Sequence, residues 1–280
     1  MQNNLPIGVF DSGLGGLTIV KALKQTLPNE SFIYFGDTAH LPYGDKSPEL
    51  LRGFIQEIAL FLLKQPVKAL IIACNTATAV ARDLCVRLGG DIPVFDVIRP
   101  AVELALAQTQ NNKVAVIGTK TTVKSGIYSQ LIQQKNSQVS IIEKATPLLV
   151  PMIEEGWLHN NISQDVIDAY MSDTGFHSID TLILGCTHYP LIKSQIASYF
   201  KTNYEHSINV IDSSKAVANY VKQELKALKL DISFKNLLPH HFYLSDFTTN
   251  FEDSAALFLS ENVKFQKIDL SQSSPSIQSA

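Results

Sequence analysis

The sequence predicts an α/β fold built on largely parallel sheets. Over its 280 residues, short apolar runs rich in β-branched and aromatic residues alternate with stretches of helical periodicity, which is the pattern of repeated strand–helix units. The apolar runs are nearly continuous, as is typical of strands that are covered on both faces. Eight runs are predicted to be strands: residues 7–10, 32–35, 69–73, 93–95, 114–117, 139–142, 182–184 and 208–211.

A helix is predicted between the second and third strands. Ser47 can cap its amino terminus, and Pro48 suits the first helical position because that position needs no backbone N–H donor. Apolar residues then recur at helical spacing, so one face of this helix is expected to cover a sheet. They are Leu51, Ile55, Ile58 and Leu62.

A short motif occurs twice and indicates two related lobes. Residues 70–76 read LIIACNT and residues 182–188 read LILGCTH; each is an apolar strand, one small residue, a cysteine and two polar residues. Two similar Rossmann-like lobes explain this repeat more simply than one barrel of alternating strands and helices. Because parallel sheets bind ligands at the carboxyl ends of their strands, the active site is predicted in the cleft between the lobes.

The chain is predicted to cross between the lobes near residue 98 and again near residue 207. The first lobe then comprises residues 1–98 and 208–270, and the second comprises residues 99–207. Residues 271–280, with the sequence SQSSPSIQSA, are small and polar, and they are predicted to form a disordered tail.

Composition argues against several classes of partner. The 23 Lys and Arg residues are outnumbered by 26 Asp and Glu residues, and no basic block stands out, so we expect neither a nucleic-acid nor an anionic-membrane partner. No window approaches the ~18 uninterrupted apolar residues of a transmembrane helix. The first residues lack the pattern of a secretory signal, so a cytoplasmic location is expected.

Three cysteines are present, and two of them carry the functional hypothesis. An odd number of widely spaced cysteines does not suit a disulfide scaffold. Cys74 and Cys186 each follow an apolar strand at a turn into an expected helix, and a helix amino terminus would lower the thiol pKa from ~8.5. Cys85 lies within a helical pattern without polar neighbours and is predicted to serve packing.

Two equivalent activated thiols from two lobes suit the inversion of a stereocentre. That reaction needs a base on one face of a carbon and an acid on the other, with the roles exchanged in the reverse direction. A cysteine hydrolase would need only one thiol and a histidine base, for which Cys186 and His188 are candidates. A redox pair would more often appear as Cys-x-x-Cys, which the sequence lacks.

Hydroxyl and amide side chains are grouped around the cysteine turns. With the backbone N–H donors of helix starts, such groups can bind the carboxylates of a small zwitterion. Singly, each would be interpreted as a helix cap, so only their grouping supports a binding role. They are Ser12, Asn75, Thr76, Thr119, Thr121 and Thr187.

The glycine-rich turn at residues 13–16 is a weak dinucleotide signal. A Gly-x-Gly-x-x-Gly motif would need glycine where Thr18 stands. The glycines are instead expected to allow a tight turn and a close backbone approach to substrate. The histidines, including the adjacent His240 and His241, lack metal-site spacing, so neither a metal nor an organic cofactor is expected.

Four segments resemble the signatures of the glutamate racemases of the aspartate/glutamate racemase family, in the same order along nearly the whole chain. They are IGVFDSGLGG at 7–16, DTAHLPYG at 37–44, ACNTA at 73–77 and GCTHYPL at 185–191. The resemblance implies a cofactor-independent enzyme of peptidoglycan precursor synthesis that racemises L-glutamate to D-glutamate.

The same resemblance implies roles for individual residues. Cys74 and Cys186 become the two catalytic acid/bases, with Asp11 assisting the first thiol and His188 the second. Either Glu154 or Glu155 becomes a further functional acid. The residues expected to contact glutamate are Asp11, Ser12, Tyr43, Gly44, Asn75, Thr76, Thr187 and His188, and Thr119 joins them by its position beside the cleft.

Other functions are left open by the sequence. Aspartate or hydantoin racemisation would use the same two thiols. A cysteine amidohydrolase would use Cys186 with His188 and release ammonia, and a nucleotide-binding module would use the turn at 13–16; both leave the repeated cysteine turn unexplained. A homodimer is also left open, because no feature of the sequence decides the oligomeric state.

Overall fold

Ten strands are present in the part of the chain that the computed structural model describes, which is residues 2–204, 207–232, 238–247 and 251–270. The predicted disordered tail at 271–280 lies outside these residues. The strands are β1 (Ile7–Asp11), β2 (Phe32–Gly36), β3 (Ala69–Ile72), β4 (Val94–Asp96), β5 (Lys113–Gly118), β6 (Ser140–Ala145), β7 (Thr181–Gly185), β8 (Asn209–Asp212), β9 (His241–Leu244) and β10 (Phe265–Lys267).

The strands form two sheets, and every neighbouring pair is parallel. The first sheet has the order β10-β9-β2-β1-β3-β4, and the second has the order β6-β5-β7-β8. The α/β prediction with parallel sheets is confirmed, and each of the eight predicted runs overlaps a strand. The prediction omits β9 and β10, because the runs HFYL and FQK are short and only partly apolar.

Helices connect the strands and cover both sheets. Ser47 caps α2 by accepting a hydrogen bond from the Leu50 N–H group, as predicted. Among the described residues, no helix has both the length and the apolar character needed to cross a membrane. The helices are α1 (Leu17–Thr26), α2 (Pro48–Lys64), α3 (Asn75–Gly89), α4 (Ile98–Gln108), α5 (Lys120–Ser125), α6 (Ile127–Lys135), α7 (Leu149–Glu154), α8 (Asn161–Met171), α9 (Lys193–Asn203), α10 (Ser213–Ala227) and α11 (Phe251–Leu259).

The prediction that residues 208–211 return the chain to the first lobe is wrong. β8 pairs with β7, with Leu182 opposite Val210, and is the edge strand of the second sheet. The chain returns later, where α10 packs against α1 and β9 pairs with β2. A short apolar run indicates that a strand forms, but the sheet that it joins depends on tertiary packing.

Apolar side chains cover both faces of the first sheet. On β1, Ile7 and Val9 belong to a core shared with α1 and α4, while Phe10 belongs to a second core shared with α2 and α3. The first core continues through α10 into β5 and β7 of the second lobe. Because protein cores are close-packed, this continuous core holds the two sheets in a defined relation.

A buried ion pair fastens the amino-terminal segment to the first lobe. Lys68 Nζ lies 2.6 Å from Glu30 Oε2, and both side chains are almost completely buried. The same ammonium donates to the backbone carbonyls of Asn3 and Leu230, each at 2.7 Å. Burial lowers the pKa of Lys68 and raises the pKa of Glu30, and the contact between the two charges opposes both shifts.

Replacing Lys68 with Met is expected to destabilise the fold, because the Glu30 carboxylate then stays buried without its partner. Removing one member of a buried pair typically costs about 3–5 kcal/mol. Urea denaturation should show this loss for Lys68→Met and a change within about 0.5 kcal/mol for Lys64→Met, which replaces an exposed lysine. Equal stabilities of the two variants would contradict this role of the pair.

Candidate active site

Strands from both sheets end at one cavity of about 230 Å³. Ser12 follows β1 and Cys74 ends the turn after β3, while Thr119 follows β5 and Cys186 follows β7. Two thiols from different lobes therefore line the same cavity, at equivalent positions of their sheets. Other predicted residues that line it are Tyr43, Gly44, Asn75, Thr76, Glu154, Thr187 and His188.

Cys74 is the N-cap of α3. Its sulfur accepts a hydrogen bond from the Ala77 N–H group at 3.4 Å, and its S–H group donates to Ser12 Oγ at 3.6 Å. Burial, reinforced by the Asp11 carboxylate, nevertheless raises the pKa of Cys74 to about 12. The predicted lowering of this pKa is therefore wrong, because loss of hydration outweighs the helix terminus. At neutral pH Cys74 is a thiol that can donate a proton.

Cys186 has a different environment. It is followed by a single 3-10 turn, Tyr189–Ile192, instead of the predicted α-helix start. Its sulfur lies 3.7 Å from Nδ1 of His188, whose Nε2 lies 3.0 Å from Glu154 Oε1. The second thiol thus belongs to a chain of three titratable groups that ends at a carboxylate.

The contacts with Cys186 and Glu154 keep His188 protonated, as an imidazolium. Burial by itself would lower its pKa, but the contacts with Cys186 and Glu154 raise the pKa to about 10. A cationic ring next to the sulfur is suited to stabilise a Cys186 thiolate. Phe258 of α11 packs its ring edgewise against the imidazole, with the ring centres 5.0 Å apart.

The glycine turn at 13–16 makes a close approach, but to protein and not to the cavity. A Cβ atom on Gly15 would lie 2.4 Å from the His188 ring and 2.5 Å from Thr187 Oγ1. Only glycine therefore allows this turn of the first lobe to pack on the cysteine turn of the second. Thr18 adds a hydrogen bond across the lobes, from its Oγ1 to the Thr187 carbonyl at 3.0 Å.

Asp11 lies behind the cavity wall instead of lining it. It is fully buried at the end of β1, where Oδ2 accepts hydrogen bonds from the N–H groups of Gly16 at 2.8 Å and Gly13 at 3.2 Å. Burial raises its pKa, although the charge of His188 and these two donors oppose the rise. The Asp11 carboxyl therefore holds the glycine turn, and its charge would raise the pKa of Cys74.

Polar side chains at the start of α3 reach across the cleft. The Asn75 Oδ1 atom accepts a hydrogen bond from the Tyr128 hydroxyl at 2.7 Å. The Thr76 hydroxyl lies 2.9 Å from that of Thr119 and 3.3 Å from that of Thr122. All three contacts join the first lobe to the second.

Two other candidates lie outside the cavity wall. Thr121 donates its hydroxyl to the Gly44 carbonyl at 2.9 Å, so it holds the cavity-lining loop of the first lobe rather than facing a ligand. Glu155 is exposed at the end of α7 and does not line the cavity, whereas Glu154 contacts His188. Of the two acids that the sequence left open, Glu154 is the one that lines the cavity.

Several residues of the site are absent from the sequence predictions. The Tyr189 and Thr146 hydroxyls lie 2.7 Å apart in the cavity wall, and Asp37 accepts a hydrogen bond from the Tyr43 hydroxyl at 2.6 Å. Thr146 directly follows β6, so the strand-end rule that selected Thr119 would have found it. The apolar wall carries no comparable signal; it includes Leu41, Pro42, Pro147, Val150 and Pro151.

No three His, Cys, Asp or Glu side chains of residues 2–204, 207–232, 238–247 and 251–270 are grouped so that they could hold a metal ion. Cys85, the third thiol, is fully buried in the core between α2, α3 and the first sheet, as its predicted packing role requires. Cys74 and Cys186 thus differ from Cys85 in that they line the cavity.

The chain has close relatives of known name. It is 41% identical to a glutamate racemase of Neisseria meningitidis serogroup C over 259 residues, which are 92% of this chain and 94% of the relative. A glutamate racemase of Chlorobium phaeobacteroides is 39% identical over 258 residues, which cover 92% of this chain and 93% of the relative.

Solved structures and a family model agree with these relatives. A glutamate racemase of Francisella tularensis in complex with D-glutamate superposes with a TM-score of 0.89 and 40% identity, covering 96% of this chain and 99% of that one. Residues 8–221 match the model of the Asp/Glu/hydantoin racemases. The family resemblance predicted from the four motifs is confirmed: this chain belongs to the Asp/Glu/hydantoin racemase family.

Proposed function

We propose that this chain interconverts L- and D-glutamate by moving the Cα proton between two thiols, Cys74 and Cys186, without an added cofactor. One observation carries the proposal: two thiols at equivalent strand ends of two lobes line a single small cavity. Glutamate as substrate is supported by the relative from Francisella tularensis, which is 40% identical and binds D-glutamate.

The two thiols start from different protonation states in this proposal. Cys186, next to the imidazolium of His188, is the thiolate that removes the Cα proton and becomes a thiol. The electron pair left on Cα spreads into the α-carboxylate. Cys74, whose raised pKa keeps it protonated, gives its proton to the opposite face of Cα and becomes the thiolate. The reverse reaction exchanges the two roles.

The carbanion needs donors and a dry environment. Side-chain donors of Ser12, Asn75, Thr76 and Thr187 line the cavity and are suited to bind the carboxylates on which negative charge develops. The apolar part of the wall, formed by leucine, valine and proline side chains, limits the access of water to the same space.

We further propose that the D-glutamate formed enters peptidoglycan precursors in the cytoplasm, as the resemblance of the four motifs implies. Expression of this chain in a bacterium that requires D-glutamate should restore growth without the supplement. A matched strain that expresses Cys186→Ala should still require it.

A homodimer and the lack of nucleic-acid or membrane partners stay predictions.

A second candidate is hydrolysis of a side-chain amide by Cys186. The contacts of this thiol with His188, and of His188 with Glu154, resemble a nucleophile, a base and an orienting carboxylate. Cys74 would have no role in this hydrolysis. Ammonia release from glutamine that persists in the Cys74→Ala variant would favour the hydrolase.

The substrate of the racemase is a separate question, and comparing the turnover of glutamate, aspartate and hydantoins answers it.

Each functional thiol is expected to be essential. Cys74→Ala and Cys186→Ala should each lower kcat for glutamate by at least about 10³-fold, measured by polarimetry without added pyridoxal phosphate or metal, because each removes one acid/base. Cys85→Ala is the matched control, since this thiol is buried away from the cavity and its loss should cost only about 1 kcal/mol of stability. Full activity of either active-site variant would refute the two-thiol proposal.

Loss of His188 is expected to slow proton removal more from one enantiomer of glutamate than from the other. Because two enantiomers have equal free energies, His188→Asn must lower kcat/KM equally in both directions, so rates alone cannot reveal the asymmetry. The primary isotope effect measured with 2-deuterated glutamate can reveal this asymmetry. It should increase for the enantiomer whose proton Cys186 removes, since loss of the imidazolium slows that step most. Equal increases for both enantiomers would contradict the assignment of His188 to one thiol.

A further inference from the structure

Asn75 lines the cavity, and the two ends of its side-chain amide differ in their partners. Its Oδ1 atom accepts the Tyr128 hydroxyl at 2.7 Å. The Nδ2 atom is buried, and no hydrogen-bond partner for it is found in the described part of the chain. Asn75 lines the cavity and Tyr128 does not. A buried amide donor without a protein partner beside a binding cavity is costly unless a ligand accepts its hydrogen bond.

The two orientations of an asparagine amide occupy nearly the same space but offer opposite hydrogen-bonding groups. With Oδ1 bonded to Tyr128, the end of the amide left for a ligand is an NH₂ donor, which suits a carboxylate. With the amide reversed, the cavity would receive a carbonyl oxygen, which repels a carboxylate. The partner on the protein side therefore decides whether this residue attracts or repels an anionic ligand.

Tyr128 has the properties needed to set that choice. It is fully buried on α6 of the second lobe, so its hydroxyl is shielded from solvent. Burial, with nearby acidic groups, raises its pKa well above the usual value, so the hydroxyl keeps its proton and remains a donor. In the structure this hydroxyl donates to Oδ1 of Asn75, and that contact leaves Nδ2 without a partner among the described residues.

We propose that Tyr128 is a positioning residue that orients the Asn75 amide from the opposite lobe, so that Nδ2 donates to a carboxylate of the substrate. This inference rests on the proposed racemisation of glutamate. The donor is set by a contact between lobes, since Tyr128 lies on α6 and Asn75 begins α3. The Asn75 amide is thus oriented for binding only when the two lobes are close enough for Tyr128 to reach it.

The test is a double-mutant cycle measured on both enantiomers of glutamate. Tyr128→Phe keeps the ring and removes the donor, and it is expected to raise KM about three- to tenfold while kcat stays within about twofold. In an Asn75→Ala background, Tyr128→Phe should raise KM no further, because the amide that it orients is gone. Tyr204→Phe is the control; it removes a hydroxyl that donates to the Met171 carbonyl at 3.0 Å, away from the cavity, and KM should not change.

Two outcomes would overturn this inference in a chain that racemises glutamate. One is an unchanged KM for Tyr128→Phe. The other is an equal rise in KM with and without the Asn75 side chain, which is the result of a merely structural role. An unmodified chain that does not turn over glutamate would instead overturn the proposed function, so the two failures are distinguishable.

Discussion

One apolar core that spans two parallel sheets is the constraint on which the active site depends. Parallel sheets collect polar residues at the carboxyl ends of their strands, and the continuous core through α1, α4 and α10 brings two such edges together. A thiol from each lobe then lines the same cavity. Glycine at position 15 allows the turns of the two lobes to touch, and hydrogen bonds of Thr18 and Tyr128 cross the same boundary.

The two buried thiols differ in the charges that lie beside them. Both are nearly inaccessible to bulk water, and burial disfavours a thiolate unless a positive charge compensates it. His188 supplies that charge to Cys186, and Glu154 in turn supports His188. Cys74 has the Asp11 carboxylate nearby instead, which adds to the effect of burial and keeps its proton in place. In the proposed racemisation, this difference in neighbours would let one thiol act as the base and the other as the acid.

The parts of this arrangement that sequence can predict are those with local causes. Strands, their carboxyl-end turns and the N-cap position of Cys74 follow from apolar runs and turn residues, and the repeated motif indicates two lobes. The pKa of Cys74 was beyond such reasoning, because desolvation depends on what covers the thiol. The choice between Glu154 and Glu155 was equally inaccessible, since adjacent residues at a helix end point in different directions and only the position of His188 distinguishes them. Tyr128 carries no motif, and its role is visible only in the contact that it makes across the cleft.

Racemisation in deuterated water distinguishes two thiols from a single base. L-Glutamate can be racemised in D₂O and the reaction stopped at low conversion, with the deuterium content at Cα measured separately in each enantiomer. If two thiols act, deuterium should appear at Cα of the D-glutamate formed from the first turnovers and not in the remaining L-glutamate, because one thiol removes the proton and the other, exchanged with solvent, supplies the deuteron. Early deuterium in the remaining L-glutamate at the same rate as in the product, which a single base produces, would contradict the two-thiol proposal.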